Sequence, residues 1–153
     1  MKINIASNEV IHFIGIGGIG MSGLAQIMSN MKFRIQGSDI NYNKNIDRLK
    51  KAGIKVYFGH NVKNIKKATM VVVSSAIKNN NKELILAREK KIPIFKRGEL
   101  LANIVALKKN IVVSGSHGKT TTTSLVANIL VEAGLDPTVI NGGIINSLKN
   151  TAQ

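Results

Sequence analysis

Val10-Ile11-His12-Phe13-Ile14-Gly15-Ile16-Gly17-Gly18-Ile19-Gly20 is the stretch that decides the fold. Val10 to Ile16 is an apolar run of strand length, and the residues from Ile19 to Met31 read as a helix. Between them, Gly15, Gly17 and Gly20 match G-x-G-x-x-G at a strand-to-helix junction. There the first glycine permits a tight turn, the second lets backbone approach a diphosphate, and the third lets helix and strand pack closely. Open amides and the helix dipole favour an anion at such a junction, by about 0.3–1 kcal/mol per charge. Asp39 follows about 20 residues on, where a dinucleotide-binding acid would meet ribose hydroxyls. Within Gly37-Ser38-Asp39 it also reads as a turn former.

Outward from this stretch, apolar runs and helical patterns alternate. Strands are predicted at Phe33–Gly37, Lys55–Phe58, Met70–Ser74 and Ile94–Phe95, and helices at Asn45–Ala52, Asn81–Lys91 and Gly98–Leu107. Met70-Val71-Val72-Val73 is continuously apolar, as in a strand buried on both faces. This alternation predicts an α/β fold, a Rossmann-like parallel sheet with helices on both sides. His60 follows the third strand, and Ser74 and Ser75 follow the fourth, at the strand ends where such sheets bind ligands. His60 reads either as a donor to a phosphate or base, or as a water-facing loop residue. Ser74 and Ser75 read either as ligand contacts or as caps of the next helix. His12, in mid-strand, reads as a packed histidine.

A second phosphate motif lies further on. Gly115-Ser116-His117-Gly118-Lys119-Thr120-Thr121 follows a predicted strand, Asn110–Ser114, and opens a predicted helix, Lys119–Gly134. It is shorter than the usual G-x-x-x-x-G-K-[ST] loop, but the physics is shared: successive amides form a nest for phosphate oxygens. Lys119 is placed to reach the β and γ phosphates, and the Thr120 hydroxyl to ligate Mg²⁺. His117 faces either nucleotide or solvent. The boundary is expected at Lys108-Lys109, so that 1–108 is a complete Rossmann-like domain. Residues 109–153, ending after the strand begun at Thr138–Ile140, then form the incomplete start of a P-loop ATPase domain. That pattern reads as part of a longer protein.

Composition narrows the classes. Cysteine is absent, which speaks against a disulfide framework, and no basic-then-apolar leader opens the chain, so a cytoplasmic location is expected. No run approaches the ~20 apolar residues of a membrane helix. The net charge of +14 raises nucleic acid as a partner. The lysines are scattered, however, arginine occurs only at 34, 48, 88 and 97, and only two Tyr and four Phe could stack on bases. Neither nucleic acid nor membrane insertion is therefore expected.

His12 to Ala25, Gly37-Ser38-Asp39, Gly59-His60, Val72 to Ile77, Gly115 to Thr123, Ala133 to Thr138 and Asn141-Gly142-Gly143 together resemble the Mur ligase family, and within it the UDP-N-acetylmuramate–L-alanine ligases. The resemblance spans essentially the whole chain. It implies a UDP-sugar-binding domain at 1–108, followed by the start of the central ATP-binding domain at 109–153. It implies that UDP-N-acetylmuramate is held at Gly15, Gly17, Gly18, Ile19, Gly20, Met21, Ser22, Asp39, His60, Ser74 and Ser75. ATP would be held at Gly115, Ser116, His117, Gly118, Lys119, Thr120 and Thr121, with Lys119 and Thr120 catalytic and Mg²⁺ on Thr120. The implied chemistry is phosphorylation of the sugar's carboxylate, then attack by the amine of L-alanine on the acyl phosphate, in peptidoglycan synthesis. A chain of this length is expected to be inactive alone. The competing reading, an NAD-binding dehydrogenase or regulatory nucleotide-binding domain, accounts for 10–39 but not for 111–123.

Overall fold

The computed structural model describes residues 9–107, 109–141 and 144–147. By internal contacts the chain falls into two compact units, Met1–Lys108 and Lys109–Gln153.

In the first unit five strands form one parallel sheet. They are β1 (Val10–Ile14), β2 (Arg34–Asp39), β3 (Lys55–Phe58), β4 (Met70–Val73) and β5 (Ile94–Lys96), in the order β3-β2-β1-β4-β5. The connecting helices are α1 (Ile19–Asn30), α2 (Lys44–Lys51), α3 (Lys82–Glu89) and α4 (Arg97–Ala106), with a 3₁₀ turn at Val62–Ile65. The chain leaves β1 toward β2 and later returns to β4 on the other side of β1. This reversal opens a crevice at the carboxyl ends of the strands.

Strand residues alternate between faces. Ile14 joins a core of Ile65, Ala68, Val71, Leu84 and Ala87. His12, two residues earlier, points to the same side, and Ile11 and Phe13 serve the other. α1 packs on α2 and α4, and α3 packs on the 3₁₀ turn. Local chemistry sets the helix starts. Asn43 caps α2, accepting from the amides of Asn45 and Ile46, and Asn81 caps α3, accepting from those of Glu83 and Leu84. Gly37 on β2 lies opposite Phe13, and a Cβ there would stand 2.6 Å from Ile16 Cδ1 and 2.7 Å from the Phe13 carbonyl. Only glycine lets the turn after β1 fold down onto β2.

In the second unit, α5 (Lys119–Glu132) is followed by β6 (Thr138–Asn141) and β7 (Ile144–Ser147). Gly134, at φ 76°, takes the left-handed conformation that ends α5. Two expectations are corrected here. The predicted strand Asn110–Ser114 joins no ladder: strand geometry needs a neighbour, and Ile111 and Val112 lie open to solvent. The strand begun at Thr138 pairs antiparallel with β7, Asn141 facing Ile144, and does not extend a parallel sheet. Gly142-Gly143 between two β-prone runs is a hairpin signal in its own right.

Replacing Gly37 with alanine is expected to destabilise the chain by about 1–3 kcal/mol, because backbone must yield as well as side chain. Urea denaturation compared with the wild type checks this; an unchanged midpoint would show that the close approach of β1 and β2 is not required.

Candidate functional site

The glycine loop sits at the crevice, but its amides are divided between two tasks. The N–H groups of Gly15 and Ile16 both donate to the Ser38 carbonyl, at 2.8 and 3.1 Å. Gly17 donates to Asp39 Oδ2 at 2.8 Å, and Gly18 donates back to Gly15 at 3.3 Å. These bonds seat the loop on the end of β2. The amides of Ile19, Gly20 and Met21, at the start of α1, have no intrahelical acceptor, and no side chain caps them. They are the donors available to an anion.

Gly15 makes the tight turn expected of it, while Gly17 and Gly20 make room for protein groups. Gly15 adopts φ 82°, and a Cβ on it would meet Ser74 Cβ at 3.2 Å, so the turns after β1 and β4 touch. Gly17 makes room for Asp39, Asn43 and Ile46, and Asn43 and Asn45 both donate to its carbonyl. Gly20 faces Arg97, whose Nη1 lies 2.8 Å from where a Cβ would stand. Sequence reading missed Arg97. Its only signal was an arginine two residues past the predicted strand Ile94–Phe95. The structure sets its guanidinium beside the open amides of α1.

Asp39 ties two turns together, Oδ2 accepting from Gly17 and Oδ1 from the Asn41 amide at 3.0 Å. Met21 and Ser22 have buried side chains, with Ser22 Oγ donating to the Ile19 carbonyl, so a crevice ligand meets their backbone only. Ser74 Oγ accepts from the Ala76 amide, and Ser75 is exposed. Neither serine caps α3, because Asn81 does.

Behind the crevice lies a polar cluster centred on Glu83, which sequence reading did not single out. Glu83 and His12 are both fully buried. One carboxylate oxygen accepts from Ser38 Oγ at 2.5 Å and from His12 Nε2 at 3.3 Å. The other accepts from the Asn61 amide at 3.0 Å and Asn64 Nδ2 at 2.7 Å. His60 Nδ1 stands 2.9 Å from Ser38 Oγ and 3.4 Å from Glu83. Burial pushes the Glu83 carboxyl up, but hydrogen bonds from His12, Ser38 and Asn64, and the pull of His12, outweigh it and hold the group at about 2. His12 is packed, as expected, and is also a fixed donor within this cluster.

In the second unit Gly115 and Gly118 have φ of 157° and 76°, and a Cβ on Gly118 would meet open space. Lys119, first residue of α5, turns its ammonium back onto the carbonyls of Gly115 and Ser116. Ser116, His117, Thr120 and Thr121 are exposed. The Thr120 carbonyl accepts from Ser124 Oγ at 3.0 Å. Among the described residues, no three His, Cys, Asp or Glu side chains gather as a metal site. Nor is any helix long and apolar enough to cross a membrane.

A parallel sheet with open helix amides at its reversal point, and a separate lysine-bearing loop at a helix start, define an α/β protein of the doubly wound class. Residues 10–109 match the model of the Mur ligase family, catalytic domain, and the chain belongs to that family. It is 66% identical over 153 residues to the UDP-N-acetylmuramate–L-alanine ligase of Pelagibacter ubique (strain HTCC1062), covering 100% of this chain and 33% of that protein. The crystal structure of the UDP-N-acetylmuramate–alanine ligase of Thermotoga maritima aligns with TM-score 0.78 and 34% identity, over 86% of this chain and 31% of that one. A murein peptide ligase from Psychrobacter arcticus aligns with TM-score 0.82 and 30% identity, over 95% of this chain and 31% of that one. The chain thus spans about a third of the length of the curated relatives it matches.

The depressed Glu83 carboxyl makes stability depend on acid. A carboxyl lowered on folding stabilises fully above its ordinary value of 4.5, and that contribution is lost as pH falls toward about 2. The unfolding free energy is expected to drop across that window by on the order of 2–3 kcal/mol, and Glu83→Gln to remove most of the slope. An unchanged slope in the variant would show that other groups carry the acid sensitivity.

Proposed function

We propose that this chain carries the UDP-sugar site and the ATP phosphate loop of an ATP-dependent ligase that joins L-alanine to the carboxylate of UDP-N-acetylmuramate in peptidoglycan synthesis, in the cytoplasm. The observation that carries the reading is the row of open amides at Ile19, Gly20 and Met21 with the Arg97 guanidinium beside Gly20. Donors on a helix start and a guanidinium next to them suit a diphosphate. The relatives named as UDP-N-acetylmuramate–L-alanine ligases support the choice of substrates. The second loop and the relatives named as ligases speak against the dehydrogenase reading, which accounts for 10–39 but not for 111–123.

At the second loop, the open backbone of Gly115 to Gly118 fits a polyphosphate, and Lys119 can exchange the Gly115 and Ser116 carbonyls for phosphate oxygens. ATP, when bound, supplies the phosphoryl group that activates the sugar's carboxylate. Lys119 would offset negative charge building on the transferred group. Mg²⁺, when bound, would take the Thr120 hydroxyl as its ligand from this chain.

Calorimetric titration of the 153-residue chain is expected to show binding of UDP-N-acetylmuramate and none of NAD⁺. Arg97→Ala should weaken the sugar nucleotide about tenfold by removing a charge-assisted contact. Binding of NAD⁺ with no response to the UDP sugar would overturn the assignment. Adding L-alanine and ATP should release no ADP above background.

Lys119→Ala should weaken ATP binding about tenfold or more while leaving the UDP-N-acetylmuramate affinity unchanged, as read by a fluorescent ATP analogue and by calorimetry. Equal loss of both ligands would argue against two separate phosphate sites.

A further inference from the structure

The Glu83 cluster can be followed proton by proton. Gln36 Nε2 donates to the Asn64 carbonyl at 2.8 Å, and Gln36 Oε1 lies 3.5 Å from the Tyr57 hydroxyl. The remaining amide proton of Gln36 points to His12 Nδ1 at 3.2 Å. That nitrogen is therefore an acceptor, and His12 carries its proton on Nε2, toward Glu83. Ser38 gives its only proton to Glu83, so its oxygen can only accept from His60 Nδ1. Four donors, from Ser38, His12, Asn61 and Asn64, fill the lone-pair sites of the carboxylate. The His60 imidazole is thus held as the Nδ1–H tautomer, with Nε2 on the opposite edge of the ring and without a partner among the described residues.

The same carboxylate also fixes the loop that carries His60. Asn61 is held by its amide, and Asn64 by its side chain, which donates in addition to the Gly59 carbonyl at 3.1 Å. One side chain from α3 thus anchors the turn after β3, at the carboxyl edge of the sheet.

We propose that Glu83 and Ser38 are positioning residues of the ligand crevice: they lock His60 so that its bare Nε2 accepts a hydrogen bond from an N–H or O–H of the bound nucleotide, such as a uracil imide or a sugar hydroxyl. His60 is on this account an acceptor that selects the nucleoside end of the ligand, not a donor to its phosphates. This rests on the UDP-sugar reading above.

The experiment uses the 153-residue chain with ¹⁵N-labelled histidine. Long-range ¹H–¹⁵N spectra of the free chain at pH 7.5 are expected to show His60 protonated at Nδ1 only, and the Nε2 resonance should shift when UDP-N-acetylmuramate is added. Ser38→Ala should let the His60 tautomers mix and weaken the UDP sugar about tenfold, the size of one lost hydrogen bond to a fixed group. In a His60→Ala background, Ser38→Ala should cost nothing further, because its effect passes through the ring. A purely structural role predicts instead that the two losses multiply. A proton found on His60 Nε2 in the free chain, or equal affinities for Ser38→Ala and wild type, overturns the proposal while leaving the UDP-sugar reading intact. Absence of any calorimetric UDP-sugar binding to the wild type overturns both, whereas binding that leaves the Nε2 resonance unmoved overturns the proposal alone.

Discussion

The geometry of the first unit depends on the seating of one turn on one strand end. Gly15 and Ile16 donate together to the carbonyl of Ser38, and Gly17 donates to Asp39. The contact is possible because Gly37 offers no side chain opposite Phe13. Once the turn is fixed there, α1 must start at Ile19, and the amides left over by helix geometry face the crevice. Residues expected to bind phosphate thus divide into those that build the platform and those that remain free upon it.

Glu83 does for the turn after β3 what Ser38 and Asp39 do for the turn after β1. Burying a carboxylate is costly, and a half-satisfied polar cluster would be worse than an apolar one. Here the cost is offset by donors from β1, β2, the β3 turn and the 3₁₀ segment, all converging on one group. Such a cluster specifies a single arrangement, because any slip of α3 would strand several polar atoms at once. It also connects the interior of the sheet to the crevice through His60, the member of the cluster nearest solvent.

The second unit shows how little a glycine loop needs in order to be shaped. Gly118 in the left-handed region and the start of α5 define it, and Lys119 folds back onto the loop's own carbonyls. A cation at a helix start is unfavourable without a nearby anion. The two carbonyls supply partial negative charge, and nucleotide phosphates would supply more.

Periodicity and turn chemistry, which are local, were enough to read from sequence the strands of the first unit, their helices, the parallel sheet and both glycine loops. Asn110–Ser114 and the β6–β7 hairpin were misjudged because strand pairing is a property of neighbours, and an apolar run carries no record of whom it pairs with. The division of labour within Gly15 to Met21 was likewise hidden: which amides are spent depends on Ser38 and Asp39, brought there by the register of β1 with β2. Arg97 beside Gly20, and Glu83 beneath His12, Ser38 and His60, join residues far apart along the chain. Sequence alone determined that glycine-rich turns open α1 and α5, since glycine spacing and helix starts are local facts. Tertiary structure alone decided which atoms there remain free to bind, because hydrogen-bond donors are used up by whatever the fold places within reach.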